Sequence, residues 1–396
     1  MRILHTSDWH IGRQFHNVSL VDDQAFILDQ IIDIAKSEAV DVVIIAGDIY
    51  DRAIPPASAV SLVDKTLNQL CNVLNIPVIM IAGNHDSPER LSFGSRQLSQ
   101  ANLYITGPLS KKVETVVLND AFGEVTFYPI PYADPATVRS VFAEDAVDDS
   151  ANNDASINDV AELRTHDQCM ARIIKEIPDH KKQRSVAISH CFLAGGDGCE
   201  SERPLSVGGA EHVTTKHFKH FNYTALGHLH SQQHRTEKNI RYSGSILKYS
   251  FSEEHHNKSI TLVDMDEKGE CEIKQIALKA LHDMRSISGA FDEIIEAAKK
   301  DKHPEDYLLI SLTDKHAILD PMGKLRQVYP NVLHLERPGL MSSGEQKLAH
   351  RDLLKKGELS MFKDFYNQVQ DQALDKDQEK VLETILDEIH SNNEAD

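Results

Sequence analysis

The sequence predicts an α/β protein, a layered sheet structure flanked by helices, continuing into a smaller α/β unit and a helical tail. Three observations predict it. Short apolar runs of strand length, such as DVVIIA at 41–46 and PVIMIAG at 77–83, alternate with longer stretches whose apolar residues recur every three or four positions. Helices between successive buried strands imply right-handed crossover units, hence layers. Five of the strand-like runs end on an Asp, Asn or His. A polar side chain just past the end of a buried strand sits at the carboxyl edge of the sheet, where open α/β sheets place their ligands.

Taken in order, MRILHTS reads as a strand that runs into Asp8 and His10. VSLVDDQAFILDQIIDIAKSEA follows, with Val21, Ala25, Leu28, Ile31, Ile32 and Ala35 on the buried face of a helix. DVVIIA, almost wholly β-branched and apolar, reads as a strand buried on both faces and leads into GDIYDR with Asp48. ASAVSLVDKTLNQLCNVLN is helical, and PVIMIAG runs into Asn84 and His85. VETVVL and EVTFYPI alternate as a hairpin should. The acidic stretch AEDAVDDSANNDASINDV predicts a surface loop before a helix at about 160–176. Strands resume with RSVAIS ending on His190 and YTALG ending on His228 and His230, and ECEIKQIAL closes the region near residue 279. The predicted division is therefore a catalytic domain at 1–279, a capping domain at 280–340 and a helical segment at 341–396. The capping domain reads strand, helix, strand, helix, strand, from MRSIS to NVLHLER, and none of its strands ends on a ligand-type residue.

At 396 residues, with 41% hydrophobic and 26% charged side chains, the chain has the composition of an ordinary globular protein of two to three domains. No segment approaches the roughly 18 apolar residues of a membrane span. The opening strand lacks the features of a signal peptide, which predicts a cytoplasmic protein with no membrane partner. The five cysteines are scattered and support neither a disulfide framework nor a zinc knuckle; they read as buried thiols, with Cys191 beneath the site. The net charge of −19 is concentrated: residues 143–167 and 371–396 each carry −7, and the rest only −5. The acidity is peripheral, so it does not exclude a polyanionic substrate.

The strand-end residues carry the chemistry. A two-metal hydrolase needs a bridging carboxylate, further oxygen and nitrogen ligands, and open positions for water and a phosphoryl group. Asp8 and His10 fit one ion, Asp48 the bridge, Asn84, His190 and His228 the second ion, and His230 returns to the first. These donors suit manganese, iron or zinc better than calcium. His85 is placed to act as general acid on the leaving oxygen, with Asp86 orienting its imidazole. Gly47, Gly83 and Gly227 precede Asp48, Asn84 and His228, where a side chain would obstruct the site. Singly, each piece has a plain alternative: GNHD passes for a turn, His190 for a core histidine, GHLH for a polar hairpin. The ordered set carries the inference.

That set, DWH, GDIYD, GNHD, SH and GHLH across residues 8–230, resembles the calcineurin-like metallophosphoesterases. SDWHIG, ESERPLSVGGAEHV, YTALGHLH and YSGSILKYSFSE are more closely similar to the bacterial SbcD nuclease family. The resemblance implies a metallophosphoesterase β-sandwich, two divalent metal ions, usually Mn2+, and DNA as substrate. It implies exonuclease action on double-stranded ends and endonuclease action on single strands or hairpins. It also implies an SbcC-type ATPase subunit as partner through the C-terminal helices, in an assembly that allows a homodimer within a heterotetramer. A phosphatase or cyclic-nucleotide phosphodiesterase of the same superfamily is the alternative. Archaeal and eukaryotic members carry a histidine where this chain has Asp51, whose expected role is to orient Arg52 or a ligand. Candidate phosphate contacts are Arg13, His16, Arg52, Arg90 and Lys248. Met361, Phe362, Phe365, Tyr366 and Val369 form a helical stripe suited to docking in a partner's groove.

Overall fold

Buried strands need cover on both faces, and the chain supplies it by laying one sheet on another. The computed structural model describes residues 1–143, 160, 162–177, 183–205, 210–316, 318–338, 362–363, 366 and 372–393. It divides into two units, Met1–Asp283 and Met284–Asp396. In the first unit one six-stranded sheet has the order Cys271–Ala277, Ser259–Met265, Arg2–Thr6, Val42–Ile45, Val78–Ile81, Leu103–Thr106. The last four of these strands are parallel, and Ser259–Met265 joins antiparallel to Arg2–Thr6. The other six-stranded sheet has the order Gln233–His234, Ile240–Tyr242, Tyr223–Gly227, Arg184–His190, Gly123–Ile130, Val116–Asp120. Its four central strands are parallel and its two edges antiparallel.

Side chains alternate along a strand, so each central strand serves two layers. Phe127, Val186, Ile188, Tyr223 and Ala225 from the second sheet pack with Ile3, Val42, Ile44, Ile79 and Ile81 from the first, forming the core between the sheets. Their neighbours Tyr128, Ile130, Ala187 and Leu226 face the other way. They pack with Val138 and Phe142 of the helix Pro135–Ala143 and with Cys169, Met170 and Ile173 of the helix His166–Lys175. This is the expected β-sandwich flanked by helices. The parallel strands of both sheets bring their carboxyl ends together: His190 Nδ1 meets the Ala46 carbonyl at 3.0 Å, and the His228 N–H donates to Asp8 Oδ1 at 2.9 Å.

Two details differ from the sequence reading. The first helix, Val21–Ser37, buries Asp23, Gln24, Ile27, Leu28, Ile31 and Ala35, so Val21, Ala25 and Ile32 flank its buried face. Polar partners turn it: Gln24 Nε2 donates to the His10 carbonyl at 2.8 Å, and Asp23 meets His282 Nδ1 at 3.0 Å. The second helix ends at Asn68 and passes into a π-helical turn, Gln69–Val73. The acidic loop at 144–159 lies outside the described residues.

The second unit begins with three parallel strands, Met284–Gly289, Tyr307–Leu312 and Val332–Glu336, joined through the helices Phe291–Ala298 and Pro321–Arg326. Leu308, Ile310, Leu312, Ile294 and Leu325 form its core. A helix, Lys376–Asn393, lies near the chain's end. Of the expected docking stripe, Phe362 is exposed and the Tyr366 hydroxyl accepts from Gln378 at 3.2 Å, while Met361, Phe365 and Val369 lie outside the described residues. No described helix is long and apolar enough to cross a membrane.

Candidate metal centre

The seven side chains expected to bind metal meet at the common rim. Asp48 Oδ2 stands 3.6 Å from His10 Nε2 and 3.5 Å from His190 Nε2, between the two sheets. Asn84 Oδ1 lies 2.9 Å from His190 Nε2 and 3.2 Å from His228 Nδ1. His10 Nε2 and His230 Nε2 are 3.1 Å apart. Asp8, His10 and His230 form one cluster able to hold an ion, and Asp8, Asp48 and His190 form another. Four of these residues have left-handed backbone: Asp8 (φ 51°), His10 (φ 46°), Asp48 (φ 50°) and His228 (φ 106°). Such a conformation costs about 1–3 kcal/mol per residue, and strain of this kind gathers at functional sites.

The glycines make the approach possible. A Cβ on Gly83 would lie 2.2 Å from Asp48 Oδ1, one on Gly47 2.3 Å from His190 Nδ1, and one on Gly227 1.9 Å from the Ala46 carbonyl.

The electrostatics fit cations. Burial, then the neighbouring Asp48, pushes the Asp8 carboxyl well above its usual range. Burial, then the neighbouring His230, holds His10 well below its usual value; burial, then His190, does the same to His228. His190 is also lowered, chiefly by burial. Neutral imidazoles have one bare nitrogen each. With the His190 Nδ1–H on the Ala46 carbonyl, its bare Nε2 confronts Asn84 Oδ1, acceptor against acceptor. His10 Nδ1 and Asn84 Nδ2 are buried without hydrogen-bond partners. Carboxylate and amide oxygens and imidazole nitrogens gathered this closely, some facing one another as acceptors or left without partners, suit positive ions; the residues present fit two of them.

His85 stands beside this cluster, its ring edge-on to His10 at 4.7 Å and its N–H donating to Asp48 Oδ1 at 2.8 Å. Its imidazole is not oriented by Asp86, contrary to expectation. The His85 Nδ1–H donates to the Asp51 carbonyl at 2.9 Å. Asp86 instead accepts the backbone N–H groups of Gly83, Ile49 and Tyr50 at 2.9, 3.1 and 2.9 Å, clamping the two loops that carry Asp48 and Asn84. Burial, then Asp48, pushes the Asp86 carboxyl up to about 7.

The expected phosphate contacts divide. Arg13 is fixed beside the centre: its guanidinium lies 3.1 Å from Asp51 Oδ1 and 5.2 Å from the Tyr249 ring centre. Asp51 thus holds Arg13 more closely than Arg52, whose largely exposed side chain is 3.6 Å away. His16 is exposed and packs on Phe15 and Phe251; Arg90 is exposed on the short helix Pro88–Leu91. Lys248 is engaged elsewhere, donating to the Glu254 carbonyl and pairing with Asp283, both at 2.7 Å. Cys191 is buried in the core under the second sheet, as expected.

Several residues outside the sequence reading support the centre. The Ser7 hydroxyl donates to Asp8 Oδ2 at 2.6 Å. Gln24 holds the His10 carbonyl and, through Oε1, the Gly12 N–H at 3.0 Å. Ser201, Glu202, Glu253 and Lys258 surround His230. Two signals were available: Gln24 is a polar residue within an apolar helical stripe, and Ser7, Ser201, Glu202 and Glu253 lie inside the segments SDWHIG, ESERPLSVGGAEHV and YSGSILKYSFSE that carry the family resemblance.

A sandwich whose parallel strands present Asp, Asn and His side chains at one rim defines a metal-dependent phosphoesterase. Residues 1–232 match the calcineurin-like phosphoesterase family, and the chain belongs to it. Residues 280–370 match the SbcD C-terminal family, described as Type 5 capsule protein repressor C-terminal domain. The SbcD component of nuclease SbcCD from Staphylococcus saprophyticus is 34% identical over 389 residues, spanning 98% of each chain. Its namesake from Staphylococcus epidermidis is 32% identical over 386 residues, again 98% of each. A dimetal phosphatase from Danio rerio, of known structure, is 11% identical with a TM-score of 0.40, covering 71% of this chain and 99% of that one.

Proposed function

We propose that this chain is the nuclease subunit of a DNA-processing complex, acting in repair and recombination with an SbcC-type ATPase. It would be an exonuclease on double-stranded ends and an endonuclease on single strands and hairpins. The observation that carries the reading is the meeting of Asp, Asn and His side chains from five strand ends at one rim, their oxygens and ring nitrogens within ion-holding distance of one another. The likeness to relatives named as components of nuclease SbcCD, over 98% of the chain, supports DNA as the substrate.

Asp8, His10 and His230 would hold one ion, Asn84, His190 and His228 the other, with Asp48 shared. The donor set suits manganese, iron and zinc alike, and the family resemblance favours manganese among them. When bound, two such ions polarise the phosphoryl oxygens and lower the pKa of water. The chain's own groups do the rest. Asp48 is held in line by the His85 N–H. His85, with Nδ1–H on the Asp51 carbonyl, keeps Nε2 for a proton destined for the leaving oxygen. Arg13, braced by Asp51 and Tyr249, offers a fixed positive charge to a phosphate.

The test offers a hairpin-ended duplex, a linear duplex and a small phosphoester side by side with manganese, with and without the ATPase and ATP. The expected result is metal-dependent opening of the hairpin and digestion of the duplex, faster with the ATPase and ATP. Hydrolysis of the small ester alone would place the protein among the phosphatases instead.

A further inference from the structure

His230 is gripped at three points. Its N–H donates to Glu202 Oε1 at 2.7 Å, its carbonyl accepts from Lys258 Nζ at 2.9 Å, and its ring Nδ1 lies 2.7 Å from Ser201 Oγ. Behind Ser201 is Glu253, a carboxylate with 0% exposure. It accepts the Ser201 hydroxyl proton, the Tyr249 N–H at 3.1 Å and the Lys258 ammonium at 2.5 Å. A serine hydroxyl has one proton. Because that proton goes to Glu253, Ser201 Oγ accepts from His230 Nδ1–H, which also lies 3.3 Å from Glu253 Oε1 itself. The imidazole is thereby fixed in the tautomer whose bare Nε2 faces His10. On the other side of the centre, His190 has its tautomer set by a neutral group, the Ala46 carbonyl. The two halves are built differently: one histidine is backed by a buried charge, the other by an amide.

We infer that Glu253, directly and through Ser201, is a positioning residue for His230, and that the ion held by Asp8, His10 and His230 depends on it whereas the ion at Asn84, His190 and His228 does not. This rests on the two-ion reading. A carboxylate behind a ligating imidazole fixes its orientation and raises its basicity, and losing such a partner typically costs about 10–100-fold in metal affinity. Lys258 is the counter-charge that makes a buried carboxylate tolerable here.

The full chain, stripped of metal, is titrated with Mn2+ and followed by electron paramagnetic resonance, which separates a spin-coupled ion pair from a lone ion. Two variants are compared, Glu253→Gln and Glu253→Gln with Lys258→Met. The second removes the ammonium that the first would leave unpaired in the interior, and whichever melts cooperatively like the natural chain is read. The expected result is a lone-ion signal at manganese concentrations that give the natural chain its coupled pair, the pair returning only at about 10–100-fold more metal. A coupled pair in the variant at the natural chain's concentration would overturn the role of Glu253 and leave the two-ion reading intact. No coupled pair in the natural chain would remove the two-ion reading, and this inference with it.

Discussion

His85 and Asp86 are adjacent in the chain and do different work. The histidine ring faces the centre, whereas the carboxylate turns away to tie Gly83, Ile49 and Tyr50 together. Replacing His85 with alanine should leave both ions bound and lower cleavage by about two to four orders of magnitude, the usual worth of a general acid. Metal content by elemental analysis and a single-turnover rate check the two halves of that statement. Gly83→Ala should do the reverse. Its new Cβ would press on Asp48 Oδ1 at 2.2 Å and on the Asp48 backbone nitrogen at 2.3 Å, and backbone cannot swing aside as a side chain can. The variant should melt lower, by about 1–3 kcal/mol of overpacking, and bind manganese at least about tenfold more weakly by calorimetric titration. The seven metal-binding candidates were legible in the sequence because each follows a strand, so order alone grouped them. Glu253, Ser201 and Lys258 were not. Each is a polar residue outside the long helices and strands, and only the fold reveals that the three share a buried space around His230.

Helices and strands were legible where the apolar period was strong, and misread where polar side chains took part in packing. The helix Val21–Ser37 is the clearest instance: Gln24 and Asp23 turn inward for hydrogen bonds, which shifts the buried stripe away from Val21, Ala25 and Ile32. The helix His166–Lys175 shows the same principle at its start. Thr165 caps it reciprocally with Gln168, and Asp167 in the first turn accepts the Thr214 N–H at 2.8 Å, the Thr214 hydroxyl at 2.9 Å and His217 Nε2 at 2.8 Å. Burial opposes the charge, but these donors outweigh it and hold the Asp167 carboxyl at about 2. An unfolded aspartate titrates near about 3.9. The folded value is the lower one, so the stabilisation is complete above about pH 4 and is lost as pH falls toward 2. Asp167→Asn should therefore reduce stability at pH 7 by about 1 kcal/mol, allowing for its partial exposure. Urea unfolding of both proteins at pH 7, 4 and 3 checks this. The gap should be the same at pH 7 and just above 4 and should narrow below it.

All seven metal-binding candidates, with His85, Arg13 and Glu253, fall within Met1–Asp283, so every candidate for the chemistry belongs to the first unit. The second unit has its own apolar core, built on three parallel strands, and its strand ends offer no comparable cluster among the described residues. If the segment beyond residue 340 docks on the ATPase, its removal should abolish co-purification with that partner and leave the manganese-dependent cleavage of a hairpin substrate at its basal rate. Co-purification that survives truncation would move the docking surface into the first 340 residues; loss of basal cleavage would mean the tail supports the centre. Salt provides the complementary measurement on the truncated chain. The acidic stretch at 371–396 carries −7 and is removed with the tail, so like-charge repulsion of DNA should diminish. If Arg13 and its neighbours contact phosphates, the affinity for a duplex end should still fall linearly in log–log terms with salt, by roughly 0.9 per phosphate neutralised. Filter binding between about 50 and 200 mM salt then reads the number of those contacts. A slope unchanged by Arg13→Ala would release Arg13 from the substrate and leave it as a brace for Asp51.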